Sequence, residues 1–286
     1  MIQSMTGFGK ATMQLPNKKI TVEVKSLNSK GLDLNVRIPS VYREMELGLR
    51  NQLSTVLERG KVDFSIFMEN TAEQTSAKVN VPIVKAYIAQ LKEVYSDADV
   101  TELMKMAVRM PDAMKTEREE IDENDWNLIQ KVIDEALENM QSFRIAEGSA
   151  LEKEFLHRIA NIMTLMNATV ALDGERIETV KTRLRTAIDE LKVNIDDNRF
   201  EQELIFYLEK YDITEEKVRL ENHLHYFIET MAGKEANGRK LGFITQEIGR
   251  EINTMGSKSN HAQMQKLVVQ MKDELEKIKE QVLNVL

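Results

Sequence analysis

The chain changes its hydrophobic period once, near residue 70, and that switch predicts a sheet first and helices afterwards. In residues 1–70, Ile20, Val22 and Val24 alternate with Thr21, Glu23 and Lys25, and Leu32, Leu34, Val36 and Ile38 alternate with Asp33, Asn35 and Arg37. Successive side chains of a strand point to opposite faces, so each run offers one apolar face to a core. Asn28 to Gly31 carries turn residues, which predicts that the two strands form a hairpin. After Pro39-Ser40 the period becomes helical through Tyr42, Met45, Leu49, Leu53 and Val56. Arg59-Gly60 stops that helix, and Val62, Phe64, Ile66 and Met68 mark a further strand.

From Val81 onward no convincing strand is expected. Trp126, Ile129, Ile133, Ala136, Met140 and Phe143 recur at spacings of three and four, and Leu151, Phe155, Ile159, Ile162 and Met166 extend the stripe. Asp173-Gly174 then reads as a tight turn, with Ile177, Val180, Leu184, Ala187 and Leu191 returning as the second leg of a projecting helical hairpin. The polar segment Lys192 to Arg199 is the expected link to the C-terminal portion. There, Asp212 with Glu215 suggests a capped helix to about Met231, and Lys234 to Gly238 a loop. Met264, Val268, Met271, Leu275, Ile278, Val282 and Val285 form a heptad seam that needs a partner helix from this chain or another subunit. The expected class is therefore α+β. An N-terminal antiparallel sheet domain with a helix spans residues 1–155, a helical hairpin arm runs from near 126 to 192, and a C-terminal helical domain spans 200–286.

At 286 residues and 42% hydrophobic, the chain can bury an ordinary core. It has no cysteine, which excludes disulfides, thiolate metal sites and a catalytic thiol. MIQSMTGFGK has neither a basic nor an apolar leader pattern and no run of 18 apolar residues occurs, so the expectation is a cytoplasmic protein without a membrane partner. The net charge of −8 argues against nucleic acid only if the cations are evenly spread. Lys and Arg are interleaved with the strands of residues 1–70, whereas acids gather in stretches such as Thr116 to Asp125.

Candidate chemistry concentrates in Gly242 to Ser257, GFITQEIGREINTMGS. Ile244, Ile248, Ile252 and Met255 form its buried stripe; Glu247 and Glu251 stand one turn apart, flanked by Arg250 and Thr254. Two carboxylates at that spacing suit an oxygen-preferring divalent ion such as Mg²⁺ or Mn²⁺, and they equally suit a solvated face with a Glu247–Arg250 pair. His223, one turn after Arg219, is available as general acid, general base or neutral metal ligand, or is an ordinary surface histidine. His261 opens the heptad helix and could point at the same place. Arg37, Arg43, Arg50, Arg59, Lys61, Arg250 and Lys258 could contact phosphates if they converge in space. Aromatics are only 6% of the chain, so no base-stacking platform is evident, and no Walker loop, dinucleotide fingerprint, HExxH or GxSxG is present.

The opening MIQSMTGFGKA, the run VEVKSLNSKGLDLNVRIPSVYREME with RGKV after it, and QEIGREINTMGSKS with the terminal EKIKEQVLN resemble the YicC/YloC family at both ends of the chain. The resemblance implies an endoribonuclease acting on RNA, assembled as a ring-like homohexamer, with divalent metal supporting cleavage and RNA-degradation proteins as possible partners. It places Glu247, Arg250, Glu251, Asn253, Ser257 and Lys258 in the family's C-terminal signature, Arg219 and His223 in the preceding helix, and Asn28, Arg37, Pro39, Arg43, Arg50, Arg59, Gly60 and Lys61 in its N-terminal pattern. Lys25 and Lys30 stand where arginines are usual. Gly31 replaces an aromatic, Gly242 an acid and Gly249 an asparagine, departures that could remove metal or supporting contacts.

The leading expectation is metal-assisted hydrolysis of an RNA phosphodiester. Glu247 and Glu251, with His223, would bind the ion, and Arg250 and Lys258 would stabilise charge. Arg37, Arg43, Arg50, Arg59, Lys61 and Arg219 would hold the backbone, and the arm would close over the strand. The alternatives are metal-free attack by the 2′-hydroxyl promoted by His223 or His261, a non-catalytic RNA adaptor or chaperone that presents RNA to another nuclease, and a coiled-coil scaffold.

Overall fold

A computed structural model of the chain describes residues 2–16, 18–70, 78–115, 123–191, 197–233 and 238–286. Strands β1 (Gly7–Gln14), β2 (Lys18–Leu27), β3 (Leu32–Arg37) and β4 (Gly60–Asn70) form one sheet in the order β1-β2-β4-β3. The class is α+β, as the change of period indicates. The expected hairpin of β2 with β3 is not formed. β2 is flanked on both edges by antiparallel partners, β1 and β4, and β3 lies beyond β4 and parallel to it. A parallel pair needs a crossover, and the 3-10 turn Ser40–Met45 with helix α1 (Glu46–Val56) provides it. Asn28, in the expected turn, serves a longer connection: its side-chain amide donates to the Leu283 carbonyl at 2.7 Å, tying the sheet to the last turn of the chain.

The inward face of the sheet carries Ile20, Val22, Val24, Val62 and Phe64, and Tyr42, Leu49 and Leu53 pack on it with Ile129, Val132, Ile133, Ala136 and Met140. Those last five belong to helix α4 (Glu123–Ala171). The same helix passes on into a second core, where Phe155, Ile159, Ile162 and Met166 meet helices α7 (Thr214–Ala232), α8 (Gly238–Lys258) and α9 (Ala262–Val282). At 1.5 Å per residue α4 is roughly 70 Å long. The stripe read from Trp126 to Met166 is thus real, but it belongs to a strut shared by two cores rather than to a projecting arm. At Asp173-Gly174 the chain bends and does not reverse. Helix α5 (Asp173–Leu191) starts one residue after α4 ends, and backbone bonds from Leu172 to Thr169 and from Arg176 to Leu172 carry the helix through. Helix α6 (Asp197–Lys210) follows, and the Arg185 guanidinium lies 5.7 Å from the Phe200 ring centre. Of the predicted polar link Lys192 to Arg199, residues 192–196 fall outside the described residues and Asn198 and Arg199 are already in α6; of the predicted loop Lys234 to Gly238, residues 234–237 fall outside and Gly238 begins α8.

The heptad seam of α9 finds its partners within the chain. Met264, Val268, Met271, Leu275, Ile278 and Val282 are all buried against α4 and α8. Both chain ends are built into the structure: Ser4 bridges Val285, Met5 N–H donates to the Asn284 carbonyl at 2.7 Å, and Leu286 N–H to the Gln3 carbonyl at 2.9 Å. Arg144 of α4 is buried beneath this knot and donates to Ser26 Oγ at 2.7 Å, while Ser26 Oγ donates to the Met5 carbonyl at 2.8 Å.

Between β4 and α4 lies a separate unit of helices α2 (Val81–Val94) and α3 (Val100–Ala107), closed by the two-residue strands β5 (Lys78–Val79) and β6 (Met114–Lys115). No strand was expected there. Two-residue strands are too short to show a period. No helix among the described residues is long and apolar enough to cross a membrane.

Candidate functional site

Helix α8 sits between α7 and α9 because its apolar stripe is wide: Leu241, Ile244, Thr245, Ile248, Ile252 and Met255 are buried. Its flank toward α9 is smooth. A Cβ placed on Gly242, Gly249 or Gly256 would meet Val282, Leu275 or Val268, so these glycines allow the two helices to approach closely. Gly249 therefore has a packing role, about 160° around the helix from Glu251 at 100° per residue, and its departure from the family pattern does not fall on the acid's side.

The opposite flank faces α7, and there a buried ion pair fixes the register. Lys258 Nζ donates to Glu216 Oε1 at 2.7 Å and to the Asp212 carbonyl at 2.9 Å, placing the C-terminal end of α8 at the start of α7. Stepping back about two turns along each helix brings Glu251 level with His223. Glu251 is buried, with 5% exposure, and His223 is half-buried; neither has a hydrogen-bond or ion-pair partner among the described residues. The residue as a whole is buried, but its carboxylate oxygens are not among the fully enclosed, unpartnered side-chain atoms of the described residues, so the acid group keeps an opening to the surface where a ligand could meet it. Glu247, one turn earlier, is half exposed, and Arg250 is 75% exposed, 3.9 Å from it. These two fit the plain description of a solvated helix face. Glu251 does not.

The other sequence candidates divide by place. Arg219 is exposed and ion-paired with Glu215. Lys258 is committed to Glu216 and Asp212. Arg50 bonds Glu46 and the Leu34 carbonyl, and Arg59 donates to the Ser29 carbonyl at 2.7 Å, so both brace the edge of the sheet. Arg37, Arg43 and Lys61 are exposed on the sheet module. No hydrogen bond or ion pair joins any of them to α7 or α8 among the described residues. His261 occupies the N-cap position of α9 without a side-chain capping bond, with Nε2 4.0 Å from Glu175 Oε1, at the Lys258 end of the bundle rather than beside Glu251.

Sequence reasoning missed the residues that lock this end. Arg176 is buried and bonds Asp173 at 2.8 Å and the Lys258 carbonyl at 3.3 Å, and Glu216 is buried under Lys258. The only signal was a charged residue on an apolar stripe position. Asp212 stands one residue before the N-cap, Ile213, and no capping box forms, since Glu215 pairs with Arg219; the Asp212 Oδ1 instead accepts from Thr214 N–H at 3.1 Å and from the Thr214 hydroxyl at 2.7 Å. The hydroxyl bond, with help from Lys258, outweighs burial and lowers the Asp212 pKa. Among the described residues no group of three or more His, Asp or Glu side chains is arranged to hold a metal ion.

Comparison with known proteins covers both halves of the chain. A family model described as endoribonuclease YicC-like, N-terminal region, matches residues 2–153, and one described as endoribonuclease YicC-like, C-terminal, matches residues 169–286. The chain is 33% identical over 293 positions to a protein of Clostridioides difficile (strain 630) named probable endoribonuclease YicC, with 100% of both chains covered. It is 28% identical over 288 positions, again with 100% of both covered, to a protein of the same name from Haemophilus influenzae (strain ATCC 51907 / DSM 11121 / KW20 / Rd). With its two halves matched by the two family models and its whole length by these relatives, the chain belongs to the YicC-like family.

Proposed function

We propose that this chain is an endoribonuclease that cuts the RNA backbone at the α7–α8 seam, with Glu251 and His223 at the centre. The observation that carries the reading is Glu251, a buried residue whose carboxylate stays open to solvent, on a level of the α7–α8 pair that also holds His223, neither side chain having a hydrogen-bond or ion-pair partner among the described residues. A carboxylate beside an imidazole moves protons at neutral pH, which phosphodiester cleavage requires at both the attacking and the leaving oxygen. Arg250 stands exposed one face away and would meet a bound phosphate. Arg37, Arg43 and Lys61 would track the strand along the sheet module, and assembly into a homo-oligomer, a hexamer by resemblance, would bring one chain's sheet to another chain's seam.

Divalent metal fits this site in a limited way. Glu251, with His223 opposite and Glu247 one turn away, would hold Mg²⁺ or Mn²⁺ only with several waters retained, as these ions commonly bind. When bound, the ion would neutralise phosphate charge and acidify water. The test is cleavage of an end-labelled RNA by wild type and Glu251→Gln, with Mn²⁺ and with EDTA. The expected result is loss of cutting by at least 100-fold in the variant; a folded Glu251→Gln protein that cuts at the wild-type rate rules the site out.

A metal-free variant of the same reading draws on the absence of a three-donor cluster among the described residues. In it His223 takes the proton of the 2′-hydroxyl as that oxygen attacks the phosphorus, the P–O5′ bond breaks, and a water molecule protonates the departing 5′-oxygen. Cutting that persists in EDTA and leaves 2′,3′-cyclic phosphate ends selects this route.

A further inference from the structure

Aromatics make up only 6% of the chain, yet two of them stand in water beside the α7–α8 seam. Phe243 of α8 is 62% exposed, while every other apolar side chain of that helix is buried. Its surface neighbours Arg239, Lys240, Gln246 and Glu247 are exposed and polar. A protein interface is built around a contiguous apolar patch, whereas a lone ring among charges suits a flat partner about one ring across. The neighbouring helix adds a second ring. Tyr226 of α7 is 44% exposed, and Lys240 reaches across from α8 to set its ammonium 4.9 Å from the centre of the Tyr226 ring. Lys240 and Phe243 are three residues apart on one helix and so lie side by side. Phe243, Lys240 and Tyr226 thus form one patch that crosses from α8 to α7. A nucleobase offers what this patch can hold: a π-face for the ring of Phe243, and edge acceptors for an ammonium that can only donate.

The patch lies on the side of α8 that carries the candidate site. At 100° per residue, Arg250, Phe243, Glu247, Lys240 and Glu251 fall within an arc of about 100°. Phe243 precedes Glu251 by about two turns, roughly 12 Å at 1.5 Å per residue. Nucleotides of one strand follow one another at about 3.4 Å when stacked and further apart when drawn out, so a few of them cover that distance. A phosphodiester held at Glu251 therefore has a base of the same strand within reach of Phe243. Only an unpaired base can use it, because a base inside a duplex has both faces covered by its neighbours.

We infer that Phe243, with Tyr226 and Lys240 beside it, is a stacking subsite for one unpaired base of the RNA, a few nucleotides from the bond that is cut; the inference rests on the reading that RNA is cut at this seam. The test separates binding from cleavage. Two labelled 2′-O-methyl strands of equal length, oligoadenylate and its abasic counterpart, carry the same phosphates, and in EDTA they offer neither a metal-activated water nor a 2′-hydroxyl. By fluorescence anisotropy, wild type is expected to prefer oligoadenylate by about 5- to 100-fold, the worth of one stacked base. Phe243→Ala should lose most of that preference while keeping its affinity for the abasic strand, and Phe243→Trp should keep both. No preference in wild type, an undiminished preference in Phe243→Ala, or a preference that Phe243→Trp fails to retain overturns the inference. The indole of Phe243→Trp should also lose fluorescence on oligoadenylate and not on the abasic strand, beyond any change in wild type, whose one tryptophan is Trp126; an unquenched indole overturns it. Neither arm reads cleavage. Failure here leaves the Glu251→Gln cleavage test untouched, and a Glu251→Gln protein that cuts normally leaves the base preference to be read as it stands.

Discussion

Glu251 sets function against stability at a single side chain. The residue is buried and its carboxylate has no donor among the described residues, but the oxygens keep some contact with solvent, so the cost falls below the about 1–3 kcal/mol of a fully enclosed unsatisfied group. Glu251→Met, which fills the same volume without charge, should therefore stabilise the fold by up to about 1 kcal/mol and raise the melting temperature slightly, while abolishing cleavage. Calorimetry beside the RNA assay checks both halves, and a variant that melts earlier contradicts the account of this carboxylate. Glu274 shows the opposite arrangement. Burial would raise its pKa, but hydrogen bonds from Lys277, Asn161 and Arg158 outweigh burial and hold it at about 2. A depressed carboxylate stabilises the fold above its unfolded value near 4.5, and that contribution is lost as pH falls through 2. After solvent screening it is on the order of 1 kcal/mol. Glu274→Gln should thus be less stable than wild type at pH 7, with the gap narrowing below pH 4.5 and closing near pH 2, as read from urea midpoints.

At the scale of elements, α4 couples the two main cores. Ile133 and Met140 are buried under the sheet and Phe155 and Ile162 within the bundle, all on one continuous helix. Glu147 is exposed between the two sets. A proline there removes one helical hydrogen bond and clashes with the carbonyl four residues back, at about 3 kcal/mol. Glu147→Pro should split a single thermal transition into two, one for each core, in a calorimetric scan. The stripe of α4 was legible because it is long and regular, and so was the α9 seam. What was not legible followed from contacts between distant segments. β1 shows no apolar period because its inward residues include Gly7, Gly9 and Ala11, which are small for a reason: a Cβ on Gly9 would lie 2.0 Å from the Ala136 carbonyl of α4. The β2–β3 hairpin was misread because turn residues report a local change of direction, whereas which edge a strand joins depends on β1 and on the α1 crossover. At the site, the pattern of residues 242–257 revealed the acids but not their unequal burial. The partnering of Lys258 with Glu216 across two helices sets that difference, and no spacing within one helix contains it.

For the whole molecule, a net charge of −8 limits how an RNA can be held. Arg50, Arg59 and Lys258, which a sequence count includes among the phosphate-binding cations, are occupied by carbonyls and carboxylates of their own chain. Arg37, Arg43, Lys61 and Arg250 are exposed, and of these only Arg250 forms an ion pair among the described residues, at a loose 3.9 Å. Each phosphate neutralised on a single strand contributes about −0.7 to the slope of log affinity against log salt. Four cations per chain thus predict a slope of about −3 per strand-binding chain, shallow for a nucleic-acid protein, because the remaining surface repels the backbone. Removing Arg37 and Lys61 as alanines should make the slope less steep by about 1.4. Arg59→Ala should leave the slope unchanged and lower the melting temperature instead, since that side chain braces the β2–β3 connection through the Ser29 carbonyl. Fluorescence anisotropy of a labelled single-stranded RNA across a salt series separates these outcomes. A slope that responds to Arg59 and not to Arg37 or Lys61 would mean that RNA runs along the β2–β3 turn rather than the exposed cations of the sheet module.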